Sequence, residues 1–294
     1  MSSCSSCSSN KSGAAGNGHA VQDKKISSTL DRIRYKLFIM SGKGGVGKSS
    51  VTVNTAAALA ARGYKVGILD VDIHGPSVPN LLGSHGGLEA SEDGKFLYPA
   101  PAGENLYVVS MDSLLKDRDT AVLWRGPKKT AAIRQFVSDV QWGELDFLLI
   151  DSPPGTGDEH MTVLKTIPDA LCVVVTTPQE ISLADVRKAI NFLQYAQANT
   201  LGVVENMSGL YCPHCHGEIN LFKKGGGKEL AERYGLPFLG AIPLDPATVV
   251  AADRGVPVVM LEEDSYAKKG FLALADAIVN AAESSLEALS SRGE

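Results

Sequence analysis

The residues Ser41-Gly42-Lys43-Gly44-Gly45-Val46-Gly47-Lys48-Ser49-Ser50 form the stretch of this chain best suited to hold an anion. Gly42, Gly47, Lys48 and Ser49 meet the spacing G-x-x-x-x-G-K-[ST]. Glycines let backbone N–H groups turn inward around a phosphate, where side chains would intrude. Lys48 adds a full positive charge, and the Ser49 hydroxyl is placed to ligate Mg²⁺. A second lysine, Lys43, lies inside the loop and is surplus to that pattern. An apolar run, Leu37-Phe38-Ile39-Met40, comes before the loop, and an alanine-rich helical stretch from Val53 to Arg62, closed by Gly63, comes after it. Strand, glycine loop and helix predict a phosphate-binding unit, with the helix N-terminus adding partial positive charge.

Other polar residues fall at the ends of predicted strands. Lys65-Val66-Gly67-Ile68-Leu69 runs into Asp70-Val71-Asp72, and Phe147-Leu148-Leu149-Ile150 into Asp151-Ser152-Pro153-Pro154-Gly155-Thr156-Gly157-Asp158. Ligands of parallel sheets collect at the C-terminal ends of strands, so these aspartates are expected where a nucleotide would lie. A carboxylate such as Asp151 beside a phosphate loop can hold Mg²⁺ and sense the γ-phosphate. Asn206, after Leu201-Gly202-Val203-Val204, is expected to read a base edge through its amide; its plainer role is a turn residue. Arg125, just before a helix predicted from Pro127 to Val140, can reach an anion or simply be solvated.

The chain holds five cysteines, too few and too unevenly placed for a disulfide framework at this length. Cys172, inside an apolar strand, reads as a core thiol. Cys212-Pro213-His214-Cys215 allows three readings. A thioredoxin-type redox pair needs a helix directly after it, and the next helical signal waits until about Gly227. A zinc site would take His214 or His216 as further ligands, at strained closeness. Two chains could instead each lend both thiols to one iron-sulfur cluster.

Apolar strands alternate with helical stretches from Tyr35 onward, which predicts an α/β fold of the P-loop NTPase kind: a doubly wound, mostly parallel sheet with helices on both faces. Residues 1–24, rich in serine, glycine and asparagine and holding Cys4-Ser5-Ser6-Cys7, are expected as a disordered tail; residues 25–294 are expected as one domain carrying the cysteine loop at 207–217. A net charge of −5 argues against general attraction to nucleic acid or anionic lipid. No apolar run reaches the roughly 18 residues of a membrane span and no secretory h-region is seen, so the expected location is cytoplasmic.

Taken together, the loop Lys43-Gly44-Gly45-Val46-Gly47-Lys48-Ser49, the stretch Asp70-Val71-Asp72-Ile73-His74-Gly75-Pro76-Ser77, the stretch Asp151 to Asp158, and Asn206-Met207-Ser208 with Cys212 and Cys215 resemble the Mrp/ApbC branch of the deviant Walker A ATPases. The resemblance runs from about Tyr35 to the C-terminus. It implies an ATPase that carries a labile [4Fe-4S] cluster to apoproteins. Lys48 would meet the β- and γ-phosphates, Ser49 the Mg²⁺, and Lys43 the nucleotide of a partner chain. Asp72 would position the attacking water, Asp151 would be the switch carboxylate, and Cys212 and Cys215 would share a cluster across a homodimer. Relatives in the eukaryotic branch carry a four-cysteine site near the N-terminus, where this chain has only Cys4 and Cys7. Three other readings stay open: a MinD/ParA-type spatial regulator, an electron-transfer ATPase similar to the nitrogenase iron protein, and a P-loop ATPase with a structural zinc.

Overall fold

The computed structural model describes residues 13–72, 75–84, 87–114, 126–212, 214–219 and 221–290. In chain order the elements are α1 (Gly13–Leu30), β1 (Ile33–Ser41), α2 (Lys48–Ala61), β2 (Val66–Asp70), α3 (Val78–Leu81), β3 (Glu89–Ala90), β4 (Leu97–Tyr98), β5 (Ala100–Gly103), β6 (Leu106–Ser110), α4 (Gly126–Asp139), β7 (Leu145–Asp151), α5 (Asp158–Thr166), β8 (Leu171–Thr176), α6 (Glu180–Tyr195), β9 (Asn199–Tyr211), β10 (Glu218–Ile219), α7 (Gly226–Tyr234), β11 (Phe238–Leu244), α8 (Pro246–Asp253) and α9 (Tyr266–Ser290). The main sheet has the order β10-β9-β8-β1-β7-β2-β6-β5, with β11 also paired to β9. Its centre is parallel, while β5 and β10 run antiparallel to their neighbours. A separate short hairpin, β3 with β4, occupies the excursion between Gly83 and Asn105.

Alternation along β1 explains the two layers of helix. Leu37 and Ile39 pack with α2 and α9, and Phe38 and Met40 with α4, α5 and α6. All four side chains are buried, as expected of a central parallel strand covered on both faces. Cys172 on β8 lies in that core too, and burial pushes its thiol up to about 12.

α1 runs through residue 24, where the sequence sets the expected start of the domain. Ile26 and Leu30 are buried against the second core, and Lys25 meets Asp139 of α4 at 3.3 Å. Asp23 pairs with Arg134 on the same helix. Residues before Gly13, with Cys4 and Cys7, lie outside the described residues, as do Arg125 and His74. Among the described residues no helix is long and apolar enough to cross a membrane.

Candidate nucleotide site and cysteine hairpin

Parallel register brings the polar strand ends together. Asp151 at the end of β7 stands beside Asp70 of β2 on one side and Ile39 of β1 on the other, and Asp70 in turn stands beside Ser110 of β6. The loop from Gly42 to Gly47 leaves β1 here and enters α2 at Lys48. Gly42 runs so close to α6 that a Cβ on it would lie 2.3 Å from the Asp185 backbone. Gly47 has a left-handed φ of 78° as the residue before the helix, which a side chain would strain. The result is an open cleft of about 270 Å³, lined by Lys43, Gly44, Gly45, Val46, Gly47, Lys48, Ser49 and Ser50, with Asp72 and Pro154 at its sides.

Asp151 is the hub of the cleft floor. It is fully buried, and Lys48 Nζ and Ser49 Oγ both donate to its Oδ2 at 2.6 Å. Thr52 Oγ1 donates to Oδ1, also at 2.6 Å. Asp70 accepts from the Asp72 N–H at 3.0 Å and from Ser110 Oγ at 3.2 Å. Burial and then the neighbouring Asp151 push the Asp70 carboxyl well above its ordinary range, against the opposing pull of the Asp72 N–H and Lys48. The Lys48 ammonium forms its ion pair with Asp151, at 2.6 Å. Asp72 lies nearer the cleft mouth, where its Oδ1 accepts from the Gly75 N–H at 3.2 Å. Lys43 is half-buried on the rim and has no ion-pair partner among the described residues.

Asn206 is drawn into the same site from β9. Its Nδ2 donates to the Val46 carbonyl at 2.9 Å, so the amide is seated on the phosphate loop itself. Next to the cleft, His160 is the third residue of α5 and accepts from the Gly157 N–H at Nδ1, 3.1 Å away. It is buried between the Phe38 and Phe192 rings, and burial lowers it to about 4. His160 thus braces the Pro153–Gly157 loop in neutral form.

Cys212 and Cys215 do not line this cleft. They lie in the loop that joins β9 to β10, closed by Cys212 N–H to the Gly217 carbonyl and His216 N–H to the Cys212 carbonyl, both 2.9 Å. Cys215 is exposed and Cys212 half-buried. The N–H groups of Cys215 and His214, then the Cys215 thiol, hold Cys212 below its ordinary range and favour a thiolate. Tyr211, just before the loop, stacks on Tyr266 of α9 at 4.1 Å. Among the described residues no group of three or more His, Cys, Asp or Glu side chains stands together to hold a metal ion.

Sequence reasoning missed Thr52, Ser110 and His160. Thr52 had a signal, since it follows Lys48 by four residues and so shares its helix face.

A glycine cradle at a strand-to-helix turn, a buried lysine–aspartate pair beneath it and polar strand ends around it define a P-loop nucleotide-binding protein. Comparison with known proteins narrows the class. A family model described as NUBPL iron-transfer P-loop NTPase, in the ParA group, matches residues 32–279, and the chain belongs to that family. The iron-sulfur cluster carrier protein of Methanocaldococcus jannaschii is 46% identical over 269 residues, 91% of this chain and 92% of that protein. The cytosolic Fe-S cluster assembly factor CFD1 of Candida glabrata is 51% identical over 230 residues, 75% of this chain and 80% of its own length. Among solved structures, a nucleotide-binding protein of Archaeoglobus fulgidus in complex with ADP superposes with a TM-score of 0.72 at 39% identity, covering 83% of this chain and 95% of that one. The cell division ATPase MinD of Pyrococcus furiosus follows the same fold at 27% identity and a TM-score of 0.61, covering 84% and 98%.

Proposed function

We propose that this chain binds and hydrolyses ATP with Mg²⁺ and, as a homodimer, carries a labile [4Fe-4S] cluster to apoproteins in the cytoplasm. The observation that carries the reading is β9. Its Asn206 is seated on the phosphate loop, and its last residue, Tyr211, leads directly into Cys212, so one strand joins the cradle to the thiol pair. The names of the relatives, cluster carrier and cluster assembly factor, support the cargo. Nucleic acid and membrane are not among the proposed partners.

The residues present fit a magnesium nucleotide. The loop glycines leave room for phosphate oxygens, Lys48 is the charge to meet the β- and γ-phosphates, and Ser49 Oγ and Asp151 are the oxygens suited to Mg²⁺. Bound Mg²⁺ supplies charge neutralisation on the phosphates. Lys48 and Ser49 both rest on Asp151 Oδ2, so nucleotide must take them over from that carboxylate. Release of Asp151 is the event that tells the Pro153–Gly157 loop that the site is filled. Asp72, at the mouth, orients the attacking water and accepts its proton. Lys43 is the charge extended toward the nucleotide of the second chain. Asn206 combines its hold on the loop with contact to the base.

Cys212 and Cys215 hold the cluster as thiolates. One chain brings two ligands and a [4Fe-4S] cluster takes four, so the cargo bridges two chains. The lack of a convergent third ligand among the described residues supports this over a zinc site closed within one chain.

The reading is tested by Lys48→Ala. Removing the ammonium is expected to lower ATP hydrolysis by about 100-fold or more, the scale seen when a transition-state charge partner is lost, and to slow cluster transfer to an apoprotein with it. Transfer at the wild-type rate by the variant would contradict ATP-dependent carriage.

A further inference from the structure

Glu205 comes just before Asn206 on β9, so their side chains leave opposite faces of the strand. It is wholly buried, yet no lysine or arginine pairs directly with it among the described residues. Its carboxylate instead gathers three donors from two segments. Ser208 Oγ donates to Oε1 at 2.5 Å and the Gly225 N–H to the same oxygen at 3.0 Å, while the Gly227 N–H donates to Oε2 at 2.5 Å. Gly225 and Gly227 lie at the start of α7, whose N-terminal N–H groups favour an anion. Ser208 lies between Met207, at a φ of 57°, and Gly209, at 75°, where β9 bends on its way to Cys212. Lys224, just before that helix, closes the ring by binding Glu218 of β10 at 2.5 Å.

Both side chains are seated close against a glycine, where an added Cβ would make a neighbour give way. A Cβ on Gly47 would lie 2.3 Å from Asn206 Nδ2, and one on Gly227 would lie 3.0 Å from Glu205 Cβ. Adjacent residues of one strand thus clamp the phosphate loop on one face and the base of the cysteine hairpin on the other. A buried carboxylate held only by backbone N–H groups and one hydroxyl keeps its partners in fixed positions, because losing any of them leaves a buried charge short of a donor.

We propose that Glu205 is a positioning residue that locks the cysteine hairpin to the strand seated on the phosphate loop, so that nucleotide at Lys48 alters the exposure of Cys212 and Cys215. This rests on the proposed ATP-dependent carriage and adds the part that links its two sites. It places Glu205 outside the catalytic and cluster-binding groups: it acts through β9 and α7.

The test uses the full chain, reduced and free of cluster. Alkylation of Cys212 and Cys215 by iodoacetamide is timed by peptide mass spectrometry without nucleotide, with Mg-ADP and with a non-hydrolysable Mg-ATP analogue. Binding of a fluorescent ATP analogue and the association state are recorded in the same samples. In the wild type, nucleotide is expected to change the alkylation rates by about threefold or more, a modest coupling energy. In Glu205→Gln, which turns one acceptor into a donor facing the α7 N–H groups, that response should be lost while nucleotide binding holds. Ser208→Ala, which removes one donor and nothing from α7, should weaken the response, and it carries the test if Glu205→Gln does not fold. A full response in the folded Glu205 variant, or a wild-type rate that follows dimer formation rather than nucleotide, overturns the proposal. Wild-type thiols indifferent to a nucleotide that does bind also overturn it while leaving carriage intact; a wild type that binds no nucleotide overturns carriage itself.

Discussion

Thr52 shows how much of the site rests on single donors. Its hydroxyl is one of three side-chain donors to Asp151, with the Ser49 hydroxyl and the Lys48 ammonium, and that carboxylate is fully buried. Thr52→Val keeps the shape and removes the donor, so it should cost about 1–3 kcal/mol of stability, read from the urea midpoint. A variant as stable as wild type would contradict the role assigned to that bond. His160 makes a prediction about pH. Its value is lowered from 6.5 to about 4 by burial, so the folded protein binds fewer protons than the unfolded one between those limits. The contribution is complete above 6.5 and is lost as pH falls to about 4, amounting to about 3 kcal/mol from the shift itself. Thermal melts from pH 7 to 4 should fall less steeply in His160→Gln, whose amide oxygen can still accept from Gly157. An unchanged slope would show that His160 is not the group responsible.

At the scale of elements, the turn from β1 into α2 depends on Gly47. Gly47→Ala meets both a left-handed φ and the Asn206 amide, so ATP affinity should fall by at least about tenfold, given a cost of about 1–2 kcal/mol for the backbone alone. Fluorescent nucleotide titration checks this, and wild-type affinity would contradict the seating of Asn206 on the loop. The P-loop was legible in sequence because its residues are contiguous and each has its own chemical task. The ends of β2 and β7 were legible because an apolar run stops at an aspartate. What Asn206 touches was not, since Val46 is 160 residues away and only the order of strands brings them together. Nor was α1. Its described residues bury only Ile26 and Leu30, and its polar partners lie on α4, more than 100 residues on. The hairpin around the cysteines escaped notice because β10 is two residues long, with no alternation to read.

On the scale of the whole molecule, two features point outward to a second copy. Lys43 brings a charge to the rim with no ion-pair partner among the described residues, and Cys212 and Cys215 would bring half of the four-thiolate set proposed above. Cys172 takes no part, because its thiol is buried and pushed up to about 12. Native alkylation should therefore mark Cys212 and Cys215 and leave Cys172 unmodified until the protein is unfolded; early modification of Cys172 would mean that the core opens. The central claim is that one cluster is shared by the cysteine hairpins of two ATP-binding chains. Anaerobic purification followed by iron, sulfide and zinc analysis, with sedimentation on the same sample, tests it most directly. The account predicts about two irons and two sulfides per chain in a dimer, as one [4Fe-4S] cluster over four thiolates requires, and their loss in Cys212→Ala. Stoichiometric zinc without sulfide, or a full complement of iron and sulfide in Cys212→Ala, would contradict it.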